Sequence, residues 1–201
     1  MAFKYTQDLI KQGSSYADYR NMILNQLAEQ DSASESARKL LKYTAKNEAR
    51  MSALDQRLSI IPQVHQAIKN AKPVIWLVLT EGWCGDAASS VPVIARIAAL
   101  YPEKIELRFL LRDENPDLMD AHLTNGGKSI PKLIMLDESL SFLNSWGPRP
   151  QELQNHMESW KSEYEHDFKG LIERVNAWYD EDQSVAIQVE LADMLVNRTA
   201  T

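Results

Sequence analysis

The longest apolar run in the chain is Val74 to Leu79, preceded by Pro73 and ended by Thr80-Glu81-Gly82-Trp83-Cys84-Gly85. The run is continuous and rich in β-branched residues, so it predicts a strand covered on both faces. It is far too short to span a bilayer, which takes about 20 residues of helix. The small apolar stretch that follows, 85–100 with Ile94, Ile97, Ala98 and Leu100, predicts a helix that Pro92 should bend. Lys104 to Leu111 alternates as a second strand does, and 115–124 predicts a short helix. Lys132 to Leu136 and Leu140 to Leu143 read as two strands around the turn Asp137-Glu138-Ser139. The order is β-α-β-α-β-β. Two successive strands joined by a helix should be parallel, with a right-handed crossover. The expected architecture is therefore α/β, with a mixed sheet of about four strands.

Helical patterns flank this centre on both sides. Tyr16, Tyr19, Ile23 and Leu27 predict a helix near 16–30. Ser32-Ala33-Ser34-Glu35 has the spacing of a capping box. Leu40, Thr44, Met51, Leu54, Leu58 and Ile61 mark a longer helix, and Pro62 ends it or opens a short one over 62–70. After the strands, Leu153, Met157, Trp160, Tyr164, Phe168, Leu171, Val175 and Trp178 predict one apolar stripe of about seven turns. The simplest reading is core packing against the sheet and the N-terminal helices; the stripe is long enough for its far end to extend past a small core, where an exposed aromatic end would serve a dimer or a partner. Asp180 to Ser184 interrupts the pattern, and Ile187, Leu191, Met194 and Leu195 mark a last helix. The expected division is an N-terminal helical extension over 1–72, a core over 73–147 and C-terminal helices over 148–201. No internal repeat or low-complexity tract breaks this plan.

Bulk properties narrow the function. A net charge of −6 provides no general basic field, so neither nucleic acid nor an anionic membrane is an expected partner. Cys84 is the one cysteine, which excludes an intramolecular disulfide and points to a reducing compartment. The N-terminal segment MAFKYTQDLIKQGSS has no apolar core of signal-peptide length. A soluble cytoplasmic protein is the expectation. His65, His122 and His156 form no ligand pattern. Glu163 and His166 have the Glu-x-x-His spacing of di-iron bundles, but such a site needs a second copy, and a solvated helical face is the simpler reading. Phosphate-binding, dinucleotide and nucleophile-elbow signatures are missing from the sequence. No metal and no cofactor is expected. Nothing in the pattern sets an oligomeric state.

The chemistry concentrates at Cys84. A cysteine just after a buried strand and just before a helix lies at the positive end of the helix dipole. Free N–H groups there should favour the thiolate and depress its pKa. The thiolate is the form that attacks disulfides. Gly85 allows a tight turn and leaves one side of the sulfur open, while Trp83 can shield the other. Asp86, early in the helix, suits the dipole or a cap. The sharper alternative is proton handling at Cys84, although a charge so near opposes the thiolate. Cys84 could also be an inert buried hydrophobe, but its place after Gly82-Trp83 favours a reactive or ligand-contacting role. Asn125-Gly126-Gly127-Lys128 could cradle an anion, but adjacent glycines more simply end a helix. Lys128 is placed to approach an anionic ligand near Pro131, and Arg112 and Arg149 could add charge.

Residues 73–147 resemble a thioredoxin-fold core. More closely, TEGWCGDAA, LRDENPDLMDAHLTNGGKSIPKLI and WGPRP resemble a group of bacterial thioredoxin-family proteins with a GWCGDA active segment. The likeness covers at least Thr80 to Pro150 and is expected to reach the flanking helices. It implies that Pro131, in Ser129-Ile130-Pro131, is cis and faces Cys84. It also implies that the Ile130 backbone, with Ser129 and Lys128 beside it, holds an extended peptide or a small thiol like an added strand. Two departures matter. Ala87 stands where the family's resolving cysteine would be, and Val78 where many thioredoxins bury an aspartate. The resemblance therefore implies a monothiol oxidoreductase without a resolving cysteine. Cys84 would exchange with a protein disulfide or a low-molecular-weight thiol, and an external thiol would resolve the product, in cell redox homeostasis. The alternatives are a non-catalytic thioredoxin-fold binding or adaptor protein and, more weakly, a small-thiol transferase.

Overall fold

The computed structural model describes residues 3–30 and 33–197. Four helices precede the sheet: α1 Gln7–Gln12, α2 Tyr16–Ala28, α3 Glu35–Arg57 and α4 Pro62–Asn70. The centre is β1 Val74–Thr80, α5 Gly85–Leu100, β2 Ile105–Leu111, α6 Pro116–Asp120, β3 Lys132–Leu136 and β4 Phe142–Trp146. Three helices follow: α7 Gln151–Glu163, α8 Phe168–Asp182 and α9 Val185–Val196. The sheet order is β2-β1-β3-β4, with β1 and β2 parallel and the other pairs antiparallel. The fold is α/β and thioredoxin-like, a four-stranded mixed sheet with helices on either side of it in the chain.

Every residue of β1 is buried, as a central strand with both faces covered requires. Trp76 is wholly buried in the middle of it. The edge of β2 is capped at one point, Phe109, where the Ser14 backbone exchanges two hydrogen bonds with it (2.8 and 2.9 Å). An edge strand so covered has no free ladder there for another chain to join. Tyr19 of α2 stacks on Phe109 at 5.3 Å, and its hydroxyl meets the Thr80 hydroxyl at 3.1 Å. The N-terminal helices are thus packed onto the end of β1 from which the Cys84 turn departs. α3 packs on α5, and α4 on α9.

Several boundaries differ from the expectation, each for a local reason. α1 carries too short an apolar pattern to stand out. Ser32 lies outside the described residues. The cap of α3 is Ser34, whose hydroxyl accepts from the Ala37 N–H at 3.3 Å. α3 stops at Arg57, because Leu58 is already extended, and Ile61, before a proline, is extended too. Pro62 then opens α4 at a position where its missing N–H costs nothing. The helix expected over 115–124 is confined to Pro116–Asp120. β4 starts at Phe142 rather than Leu140, because Leu140 takes a left-handed φ of 63°. The Asp137 carboxylate accepts from the backbone of Ser139 and Ser141 (2.9 Å each) and lengthens that turn.

The long stripe is two helices. It breaks after Glu163, and Asp167 caps α8 through the Gly170 N–H at 2.8 Å. Phe168 is 66% exposed and leaves the stripe, whereas Leu153, Met157 and Trp160 stay buried. Glu163 therefore ends one helix and His166 lies in the turn, so the pair shares no helical face. Among the described residues no cluster of His, Cys, Asp and Glu could hold a metal ion, and no helix is long and apolar enough to cross a membrane.

Candidate active site at Cys84

β1 ends at Thr80, and the turn Glu81-Gly82-Trp83 delivers Cys84 to the start of α5. The Cys84 N–H donates to the Glu81 carbonyl at 3.1 Å. Gly82 is wedged under α2 and α3: a Cβ there would come within 3.1 Å of Ile23 and 3.2 Å of Thr44. Asn47 of α3 donates to the Gly82 carbonyl at 3.0 Å. Nothing in the pattern of the N-terminal helices signals this clamp, because it depends on a side chain from a distant helix meeting a backbone carbonyl.

Cys84 is the N-cap of α5, and its sulfur accepts from the Ala87 N–H at 3.4 Å. The thiol donates to the carbonyl of Ile130 at 3.2 Å. The Ile130–Pro131 peptide is cis, as is Gly147–Pro148. The loop after β4 lies directly on Pro131. A Cβ on Gly147 would fall 2.2 Å from the Pro131 carbonyl oxygen, and the φ of +109° there suits only glycine. Gly85 has open space where its side chain would be. Ala87 is buried below the sulfur, and Val78 is buried in β1.

The expectation of a depressed thiol pKa is overturned. Cys84 is only 8% exposed, and its thiol is pushed up to about 12 from an ordinary 9.0. Burial is the main cause and the Asp86 charge the next. The N–H groups of Ala87 and Asp86 and the Arg149 charge pull the other way. Magnitudes explain the outcome. A helix terminus contributes up to about 2 kcal/mol, roughly 1.5 pKa units, whereas burial alone can shift a group by about 3–5 units.

Asp86 does something other than cap the helix. Its carboxylate is forked by Arg149 at 2.9 and 2.7 Å and accepts from the Tyr179 hydroxyl at 3.0 Å. It ties the loop after β4 and helix α8 to the start of α5. Burial raises its pKa above the ordinary carboxylate value, against the pull of Arg149. Sequence reasoning marks Arg149 only as a source of charge and does not mark Tyr179 at all; the one available signal is the arginine of WGPRP.

The other expected site residues divide. Trp83 sits beside Cys84 with the Arg112 guanidinium 4.8 Å over its ring. Arg112 also reaches the Lys128 carbonyl at 3.4 Å, so the glycine loop is brought to the mouth of the site. The Lys128 ammonium pairs with Asp120 at 2.7 Å. Ser129 is half-buried, and Ile130 and Pro131 are buried. One residue that the pattern does not mark is Lys132, buried immediately after Pro131, with its amine on the Thr124 hydroxyl at 3.2 Å.

Strand order, the Cys84 turn and the peptide before β3 define a thioredoxin-like domain with one cysteine. The sequence pattern of a thioredoxin family matches residues 34–161, so the chain belongs to that family. The match runs beyond the strands into α3 and α7. Among solved structures, an HIV epitope-scaffold superposes with a TM-score of 0.60 at 16% identity, over 98% of this chain and 100% of that one. A protein of unknown function from Pseudomonas aeruginosa superposes with a TM-score of 0.52 at 19% identity, over 89% of this chain and 98% of that one. These likenesses show the fold alone. No curated protein matches.

Proposed function

We propose that this thioredoxin-family chain is a binding protein that takes an extended partner segment beside Ile130 and Pro131, with Cys84 as a buried hydrogen-bond donor. The observation that carries this reading is the Cys84 thiol itself, buried and donating to the Ile130 carbonyl. A pKa of about 12 leaves about one thiolate per 10⁵ molecules at pH 7. Exchange rates scale with the thiolate fraction, so the resting sulfur is a poor nucleophile. Cys84→Ser keeps an O–H donor. Pull-downs from a lysate with the wild type and with Cys84→Ser should recover the same partner, resistant to reductant. A partner held only by the cysteine and released by dithiothreitol would defeat this reading.

A second reading, monothiol exchange in cell redox homeostasis, is favoured by the sulfur's place at the first turn of α5 and the open space at Gly85. A Cys84 thiolate, once exposed, attacks one sulfur of a disulfide. A new S–S bond forms at Cys84 and the second sulfur leaves as a thiolate. An external thiolate then attacks the substrate sulfur of this mixed disulfide, forms an S–S bond to it and expels Cys84 as a thiolate that takes up a proton, a step Ala87 cannot perform. Incubation with an oxidised low-molecular-weight thiol should then give a mass adduct that Cys84→Ser lacks; no adduct at neutral pH after hours excludes it.

A further inference from the structure

A cavity of about 90 Å³ lies between α3 and the α8–α9 turn, lined by Arg50, Arg57, Ser59, Ser89, Gln183 and Ser184 among others. It has room for several waters. Its wall is rich in donors. Arg50 is fixed in place: its Nε donates to the Ser89 hydroxyl at 2.8 Å, and one terminal nitrogen meets Asp180 at 2.8 Å and the Asn176 carbonyl at 3.3 Å. Its other terminal nitrogen has no partner among the described residues. Arg57 has only Asp180, at 3.7 Å, beyond hydrogen-bond reach.

Ser184 supplies an independent sign. It is 5% exposed, and its hydroxyl has no hydrogen-bond partner among the described residues. That hydroxyl is not sealed from solvent, so it stands open to water or to a guest in the cavity. Gln183 and Ser184 are consecutive non-glycine residues with left-handed φ of 54° and 64°. Both residues line the cavity. No carboxylate lines the cavity.

We infer that this cavity binds a phosphate-class oxyanion, held by Arg57, the free nitrogen of Arg50 and the hydroxyls of Ser59 and Ser184. Two guanidinium groups and two hydroxyls match a tetrahedral anion with several acceptor oxygens. Asp180, half-exposed and shared by both arginines, is the internal competitor that an entering anion releases. Tyr179 borders both this cavity and Asp86, but the anion contacts named here do not involve Cys84, and the inference stands whichever reading of Cys84 holds.

The test is calorimetric titration of the full chain at low ionic strength. One arm uses inorganic phosphate and a second glycerol 3-phosphate, to tell a free ion from a phosphoryl group on a larger molecule. Saturable binding is expected, with a Kd on the order of 1 mM or tighter. Arg57→Gln, at a half-exposed position, should weaken it at least about tenfold, the loss of one charge-assisted contact. Asp180→Asn should tighten it. Absence of saturable heat in both arms, or an unchanged Kd in Arg57→Gln, overturns the inference. Ser184→Ala gives a second check that removes no charge: it should weaken binding and leave the fold's melting temperature within a few degrees.

Discussion

Alkylation of Cys84 as a function of pH tests the physical core of the site. The thiol is raised from 9.0 to about 12, a cost to the thiolate of roughly 4 kcal/mol. At pH 8 the ordinary thiol is about one-tenth ionised and Cys84 about one part in 10⁴, so native alkylation should run about a thousandfold slower. Iodoacetamide labelling, followed by intact mass, reads this directly, and the same chain in about 8 M urea provides the ordinary rate. In the native protein the rate should climb about tenfold per pH unit up to pH 10 with no plateau, while the urea sample levels off near its own pKa. Asp86→Asn removes the second-largest cause of the shift and frees Arg149, whose charge favours the thiolate; both changes move the native curve to lower pH. A native plateau with its midpoint at or below pH 9 would refute the reasoning. So would an Asp86→Asn curve displaced to higher pH.

Four further outcomes follow from the same structure. Because Cys84 keeps its proton when the unfolded chain has lost it, stability should fall as pH rises above 9, by up to about 1.4 kcal/mol per unit; Cys84→Ser should flatten a urea-midpoint series between about pH 9 and 10, below the range where Tyr16, Tyr19 and Tyr179, raised by burial, add the same dependence. His122 is lowered to about 4 by burial and by the neighbouring Lys132. Its neutral form is the folded one, so its contribution is complete above pH 6.5 and is lost as pH falls toward 4; melting curves of His122→Gln should lose this acid dependence. Arg149→Gln leaves the largely covered Asp86 carboxylate with only Tyr179 and should cost about 3 kcal/mol at pH 7 by urea unfolding, and a loss under about 1 kcal/mol would contradict a structural ion pair. Gly147→Ala, with its Cβ 2.2 Å from the Pro131 oxygen, should cost at least about 2 kcal/mol, whereas Gly85→Ala meets open space and should change stability by less than about 1 kcal/mol.

The sheet was legible because its strands carry their own signal. The apolar run of β1 and the helix over 85–100 need no distant residue to be recognised, and the parallel β1–β2 pair follows from the crossover rule. Boundaries failed where one side chain or one backbone angle decided them: Leu140 at a positive φ moved β4, and Asp167 as a cap split the C-terminal stripe. The turn around Cys84 was legible for a similar reason, since Trp83, Cys84 and Gly85 are contiguous. The electrostatics were not, because the groups that set them are up to 93 residues from the sulfur's own helix in the chain.

That separation decides what the site can do. A helix terminus and a following glycine, taken alone, describe an activated thiol. The added helices reverse it. α2 and α3 press Ile23 and Thr44 against Gly82, and Asn47 holds that residue's carbonyl, which fixes the turn that carries the sulfur. From the other end of the chain, Tyr179 and Arg149 hold the Asp86 carboxylate next to Cys84, where its charge adds to burial. The placing of the Asp86 charge, the second cause of the raised thiol pKa, and the fixing of the turn that carries the sulfur therefore both depend on segments outside the strands and α5. It follows that loosening either clamp should act on Cys84 more strongly than any change within the Trp83-Cys84-Gly85 turn. Asn47→Ala is the cleanest case, since it removes one hydrogen bond from a half-buried position and touches neither the sulfur nor its charges. It should accelerate Cys84 alkylation severalfold at pH 8, at a stability cost of about 1 kcal/mol. Labelling at the wild-type rate in a variant destabilised by that amount would mean that the core alone buries the sulfur and that the helices only surround it.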